Sequence, residues 1–539
     1  MTAFHRHLKR RDLYAEASSR WRDPRAQLLD GPDWEQAKDR VLAALRLGED
    51  PEPLLARHAA TLDLALRDVA VAMADEDSGL SVDGQGLLHV AALKAIPEPI
   101  TLVDLRRRVA GMVPHVDLPE VLLEVTDRVK GFGEAFTLVS GGRTRLKGLQ
   151  VSVAACLTAQ GLNIGYRPVI KTGVEELERS RLSHVAQQYL GIDAYRPANA
   201  TLIAAQSRVP FAQVLGGGMV AAIDGMRFVV PVKSIYARPN RKYFGPKRGI
   251  TWLNMINDQA IGTGALVVTG TLRDTLNMVD VLYRRDGGPP PEIVITDTGS
   301  YSDIVFGLLN LLGMHYRPVL ADMPDQKGWR IDRQADYGPL ATFARGKIDL
   351  DKIRKHWPDI LRVVGSIHTG EVRAHDVMKM LQRDGRPTPL GDAFAHYGRI
   401  FKTLHILAYS IEEPYRRDIK RLRNLQEGRH GLAEKIFHGK KGRLHQKYFK
   451  GMEDQLGALG LVLNCVVLWN TWYIDKALDQ LRAQGYPVFD EDVARLSPFI
   501  RDHLNVDGTY NFLLPDLGPT GWRELRDPDA GHDEDHDFF

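Results

Sequence analysis

The chain has 539 residues, a formal net charge of +3, 44% hydrophobic and 26% charged residues, and two cysteines. That length exceeds what one hydrophobic core usually fills, roughly 250–300 residues, so two to four domains are expected. Two distant cysteines, Cys156 and Cys465, exclude a disulfide framework and a cysteine-based zinc site and fit a reducing compartment. The charge is unevenly spread. Residues 231–250 hold six Lys/Arg and no Asp/Glu; residues 401–450 hold 13 Lys/Arg against 5 Asp/Glu; residues 486–539 hold 4 against 13. Two basic blocks point to a polyanion partner, and Tyr236, Tyr243 and Phe244 within the first point to nucleic acid.

In chain order, residues 1–50 read as a connector with helical pieces, in which Asp33 can cap a helix over 34–47. Residues 51–215 form a helical scaffold, since Leu54, Leu55, Leu62, Leu102, Leu105 and Val109 recur at helical spacing. From 216 the pattern changes to short apolar runs at 220–223, 226–232, 250–255, 265–269, 293–295 and 316–320, with a helix over 272–283. This is the alternation of a mixed α/β sheet with packed helices, first part 216–324. Residues 325–415 return to helix and loop. Residues 416–484 supply two helices, the second apolar enough to span a membrane but bearing Asn464, Asn470 and Thr471, which favours a buried core helix. The segment 485–539 ends in an acidic tail, His532 to Asp537, that reads as disordered and solvated.

The run Ile293-Val-Ile295 reads as a buried strand ending at Asp297, with Ser302 or Asp303 capping the helix that follows. A carboxylate at a strand's carboxyl end points into the crevice where open α/β sheets bind ligands, although an Asp there also serves as a turn cap. Asp224 lies in another apolar strand beside Gly225, whose missing side chain allows close approach. Two carboxylates on neighbouring strands can share a divalent cation, and hard oxygen ligands suit Mg²⁺. A third carboxylate would complete the site. Glu427 shares a helix face with Lys420 and Arg423, and spacing alone does not select it over other glutamates. Gly428 and Gly431 weaken that helix by about 1 kcal/mol each, a cost that makes sense where something packs close.

Several ordered stretches resemble the Tn-three family of replicative DNA transposases. They include Arg20-Trp-Arg-Asp-Pro-Arg25, Leu123-Glu-Val125, Gly161-Leu-Asn-Ile-Gly165, Asp224-Gly-Met-Arg-Phe228 and Lys242-Tyr-Phe-Gly-Pro-Lys-Arg-Gly249. They continue through Thr296-Asp-Thr-Gly-Ser-Tyr301, Leu425-Gln-Glu-Gly-Arg-His430, the run Gly451 to Asn464, Leu468-Trp-Asn-Thr471 and Leu496-Ser-Pro498. The resemblance implies a ribonuclease-H-like mixed-sheet core interrupted by a large helical insertion and preceded by a mostly α-helical scaffold. It implies an Asp224, Asp297, Glu427 triad holding two Mg²⁺ ions, for which Mn²⁺ substitutes. The implied activity is 3′-end cleavage at transposon inverted repeats and strand transfer to target DNA.

DNA contacts are expected from Arg227, Arg238, Arg241, Lys242, Tyr243, Lys247, Arg248, Arg416, Lys420, Arg423, Arg429, His430, Lys440 and Lys441. The resemblance further implies a homodimer on paired ends in the bacterial cytoplasm, at the nucleoid, with no membrane partner. In this chain Ala221, Ala222, Ile223 and Met226 replace serines and a glutamine usual around the first aspartate. The family's N-terminal half, which recognises the inverted repeats, is expected from a preceding region or a separate chain. The competing readings are a truncated, non-catalytic DNA-binding remnant that inhibits full-length transposase, and a structure-selective nuclease without strand transfer.

Overall fold

The computed structural model describes all residues except 1, 2, 5, 6, 9–12, 19–21, 76–77, 142–145, 270–276, 298–300, 384–385, 516, 518 and 530–539. The predicted acidic tail from His532, Arg20 and Trp21 of the first motif, and Gly299-Ser300 after Asp297 lie outside the described residues. The chain divides into two compact units. One comprises 1–94, 273–283 and 292–423; the other comprises 95–272, 284–291 and 424–539.

The first unit is mainly helical. Its helix Gly31–Leu45 starts earlier than the sequence suggests, because Asp30 rather than Asp33 is the N-cap and accepts from the Gly31 amide. Pro32 fits the first turn, where its missing N–H costs nothing. The helices Glu52–Ala72, Asp303–Leu311 and Leu350–His368 all pack on Pro389–Ile411. At the crossing of Asp303–Leu311 with Pro389–Ile411 the backbones touch: a Cβ on Gly398 would overlap the Asp303 carbonyl. A hairpin, Leu80–Val82 with Leu88–Val90, interrupts a region the apolar spacing marks as helical. Its turn is held by Asp83, whose carboxylate accepts from the Gln85 and Leu87 amides. The strand Ile293–Thr296 forms as expected and pairs in parallel with His315–Tyr316. Ser302 caps the next helix by accepting from the Val305 amide.

The second unit is built on the 35-residue helix Phe449–Ala483. It is the one helix among the described residues that is long and apolar enough to cross a membrane, and 83% of its most apolar window is buried in the structure. Leu118–Arg128, Leu149–Gly161 and Ile192–Gln206 surround it. All of Leu149–Gly161 except Gln150, Val151 and Gln160 is buried, as befits a helix inside a core.

Against this bundle lies an antiparallel sheet. The strand Arg248–Asn257 pairs along one edge with Val220–Val229, and along the other with Arg238–Pro239 and Gly262–Thr269. The apolar run 220–223 and residues 226–229 of the run 226–232 thus belong to one strand, which ends at Val229. Asp224 and Gly225 do not break it, because each keeps a ladder partner, Asn254 and Leu253.

Candidate active site

Asp224 sits in the middle of its strand, and its surroundings come from the facing strand and one helix. Its Oδ1 accepts from the Gly225 amide at 2.7 Å. Directly opposite, the Asn254 amide nitrogen donates to the Asp224 carbonyl (3.2 Å) and to His430 Nε2 (3.0 Å). The Gln426 amide nitrogen donates to Asn254 Oδ1 (2.7 Å) and lies 3.2 Å from the same His430 Nε2. Two amide donors converge on Nε2, so that nitrogen accepts and the ring proton sits on Nδ1. Nδ1 faces Asp224 Oδ2 at 3.7 Å. Burial, with Arg429 and Arg227 nearby, holds the imidazole down to about 4. At neutral pH the pair is therefore an N–H dipole facing a carboxylate, not an ion pair.

Gly225 is required by close approach. A Cβ there would overlap the Arg227 guanidinium and the Thr251 methyl. Arg227 curls back to donate to the Gly225 carbonyl at 2.5 Å, and its guanidinium lies 4.3 Å from the centre of the Tyr243 ring. Tyr243 thus serves as a platform for Arg227, while Phe244 is buried beneath Gly249.

Glu427 is exposed on the helix Glu413–Ile436, one turn before His430. The two glycines after it behave as expected of a close contact: a Cβ on Gly428 would press on Phe499, and one on Gly431 on Arg501. Asp297 follows its strand in the first unit. Its side chain is 48% exposed, and Arg423 Nε lies 3.9 Å from Oδ1. Among the described residues no group of three or more His, Cys, Asp and Glu side chains is arranged to hold a metal ion. By donor type the three carboxylates suit a hard divalent cation.

The predicted DNA contacts separate by exposure. Arg241, Lys242, Lys247, Arg248, Lys420, Arg423, Lys440 and Lys441 are exposed, and Arg238 is half-buried. Lys440 and Lys441 adopt left-handed backbone conformations, φ 51° and 58°. Arg416 donates to the Ala91 carbonyl at 2.8 Å.

Arg429 is not on the surface: it is 2% exposed, and its guanidinium donates to Asn464 Oδ1 at 2.8 Å. Burial lowers it to about 9, so it remains charged at neutral pH inside the core. His430 likewise turns inward to Asn254 and Gln426 rather than outward to a phosphate. No local pattern marks Asn254 and Gln426 as neighbours of Asp224. The available signal was an asparagine inside the apolar run Trp252-Leu-Asn-Met255.

A family model described as "Tn3 transposase DDE domain" matches residues 120–510. The transposase for transposon Tn4556 of Streptomyces fradiae is 60% identical over 529 residues, covering 98% of this chain and 59% of that protein. The transposase for transposon gamma-delta of Escherichia coli (strain K12) is 42% identical over 512 residues, covering 94% and 51%. The transposase for transposon Tn1546 of Enterococcus faecium is 29% identical over 514 residues, covering 95% and 51%. The chain thus spans between about half and three-fifths of the length of these relatives. The matched region takes in most of the chain, including Asp224 with its Asn254 and His430 neighbours, Asp297 and Glu427; the chain belongs to the Tn3 transposase DDE domain family.

Proposed function

We propose that the chain is the catalytic part of a DNA transposase, with a ribonuclease-H-like core formed from 216–324 and 416–484. Asp224, Asp297 and Glu427 would hold divalent metal, Mg²⁺ with Mn²⁺ as substitute. When bound, such ions supply Lewis-acid stabilisation of the attacking and leaving oxygens in phosphoryl transfer. The chain's own contribution is positioning. The observation that carries this reading is the orientation of Asp224: its Oδ1 is tied to the Gly225 amide, its carbonyl to Asn254, and its Oδ2 faces the His430 N–H. The Gly225 amide thus orients the carboxylate, while Asn254 holds the backbone that carries it.

The exposed cations Arg241, Lys242, Lys247, Arg248, Lys440 and Lys441 neutralise phosphates, so DNA affinity falls steeply with salt. DNA ends and target DNA are the substrates, held by a homodimer on paired ends. Recognition of the inverted repeats would come from a separate chain or domain. The test supplies Mg²⁺ or Mn²⁺, a transposon-end duplex and a target plasmid, and resolves the products on a gel. Joined strands support a transposase. Cut ends alone would reduce the activity to a nuclease, and no metal-dependent product would leave a binding module.

A further inference from the structure

A groove of about 860 Å³ opens where the strand Val220–Val229 ends. That volume lies within the roughly 300–1,000 Å³ typical of ligand sites. Its floor is Val229, Val230 and Val232, and its walls are residues 233–236 and 246–248 with Arg443, Lys447 and Tyr448. The walls are tied together: Ser234 Oγ donates to the Lys447 carbonyl at 2.7 Å, and the Leu444 amide donates to the Val229 carbonyl at 3.0 Å. Tyr236 packs on Phe449 below, with ring centres 5.6 Å apart.

Lys233, Lys247, Arg248, Arg443 and Lys447 line the groove, all are exposed, and no carboxylate joins them in the lining. Two large apolar side chains stand among these cations, Ile235 at 78% exposure and Tyr448 at 66%. Tyr448 is the N-cap of the long core helix, so its backbone is fixed and its ring is left facing outward. Asp224 lies five residues before Val229, roughly 16 Å back along the strand.

Cations without carboxylates call for a polyanion. Exposed flat and branched apolar side chains call for an occupant with apolar faces. A duplex offers the first but keeps its base faces stacked inside; a single strand offers both.

We propose that this groove binds single-stranded DNA, unpaired bases lying against Tyr448 and Ile235 and phosphates against the five cations. The inference rests on the DNA-acting reading and assigns that surface a strand-holding role apart from the carboxylates. The test measures binding of the full chain, in EDTA and without turnover, to an oligodeoxythymidine strand of about 15 nucleotides and to a duplex of equal length. Tyr448→Ala is expected to weaken strand binding about 10-fold, as lost stacking on one aromatic does, while duplex affinity stays within about twofold. Tyr448→Phe retains strand binding. Ile235→Ala, on the exposed loop, reproduces a smaller selective loss without adding charge or touching the helix cap. Equal losses on strand and duplex, or no loss on the strand in either variant, would overturn the inference. Wild-type binding to duplex alone would overturn the groove assignment and leave the DNA-acting reading standing; binding to neither would overturn both.

Discussion

The imidazole of His430 presents Nδ1 to Asp224 Oδ2 at 3.7 Å, with its other nitrogen occupied by Asn254 and Gln426. A neutral ring so fixed presents a directional dipole to the carboxylate without neutralising it. His430→Ala is therefore expected to lower metal-dependent DNA cleavage by about 10- to 100-fold, the usual loss when a partner of a metal-binding side chain is removed. DNA affinity should stay within about twofold. Parallel cleavage and anisotropy assays check this, and an equal loss in both would show that His430 contacts DNA instead.

Gly225→Ala forces a methyl into the Arg227 guanidinium and the Thr251 methyl. Either the strand or Arg227 must move, at a cost of about 1–3 kcal/mol, as for overpacking in general. Chemical denaturation followed by tryptophan fluorescence should show the shift. Cleavage should fall as well, because the Gly225 amide anchors Asp224.

Glu124 is fully buried and gathers the Trp469 indole N–H (3.1 Å), the Tyr473 hydroxyl (3.2 Å) and the Arg523 guanidinium (2.5 Å). Arg523 also reaches Glu120 at 2.7 Å. Removing the carboxylate leaves Arg523 with Glu120 alone and leaves the buried Trp469 and Tyr473 donors without this acceptor. Glu124→Ala should cost about 3–5 kcal/mol, read as a lower urea midpoint and as earlier proteolysis of the segment around Arg523.

Burial depresses several of the described histidines, most strongly His58 and His430, to about 4, and His405 and His503, to about 3. Unfolding returns each to its ordinary value near 6.5, so the unfolded chain binds more protons between those limits. The stability these groups confer is fully present above pH 6.5 and is lost as pH falls toward 4 for His58 and His430 and toward 3 for His405 and His503. Each contributes a slope of up to about 1.4 kcal/mol per pH unit. His405 sits between the Pro318 carbonyl (2.9 Å) and the Tyr415 hydroxyl (2.8 Å), and His405→Gln should flatten the acid limb of a melting-temperature profile.

The strand leading to Asp297 and the core helix Phe449–Ala483 were legible because each is a local signal, a β-branched run in one and a long uncharged apolar stretch in the other. The Asp224 environment was not. Asn254 and Gln426 meet only when residues 172 positions apart come together, and no local period encodes that contact. His430 and Arg429, read as cations on a basic helix, are turned into the core by partners at Asn254 and Asn464.

The motifs that carried the family resemblance had the same character. Glu124, Asn464 and Asn470 proved to be buried hubs: Asn464 accepts from Arg429 and the Gly262 amide, and Asn470 donates to the Pro498 and Ile500 carbonyls. Buried polar hubs of this kind are costly to lose, since each leaves several partners unsatisfied. The hairpin at Asp83-Gly84 carried a turn signal that the flanking helical spacing obscured.

The proposed activity rests on the three carboxylates. The most direct measurement is Mg²⁺-dependent nicking of a labelled DNA end by the full chain and by Asp224→Asn, Asp297→Asn and Glu427→Gln. DNA affinity is measured alongside. The expected result is metal-dependent nicking by the wild-type chain, lost by at least about 100-fold in each variant with binding intact, since each removes a ligand that the others do not replace. Nicking by any of the three variants at the wild-type rate would contradict it.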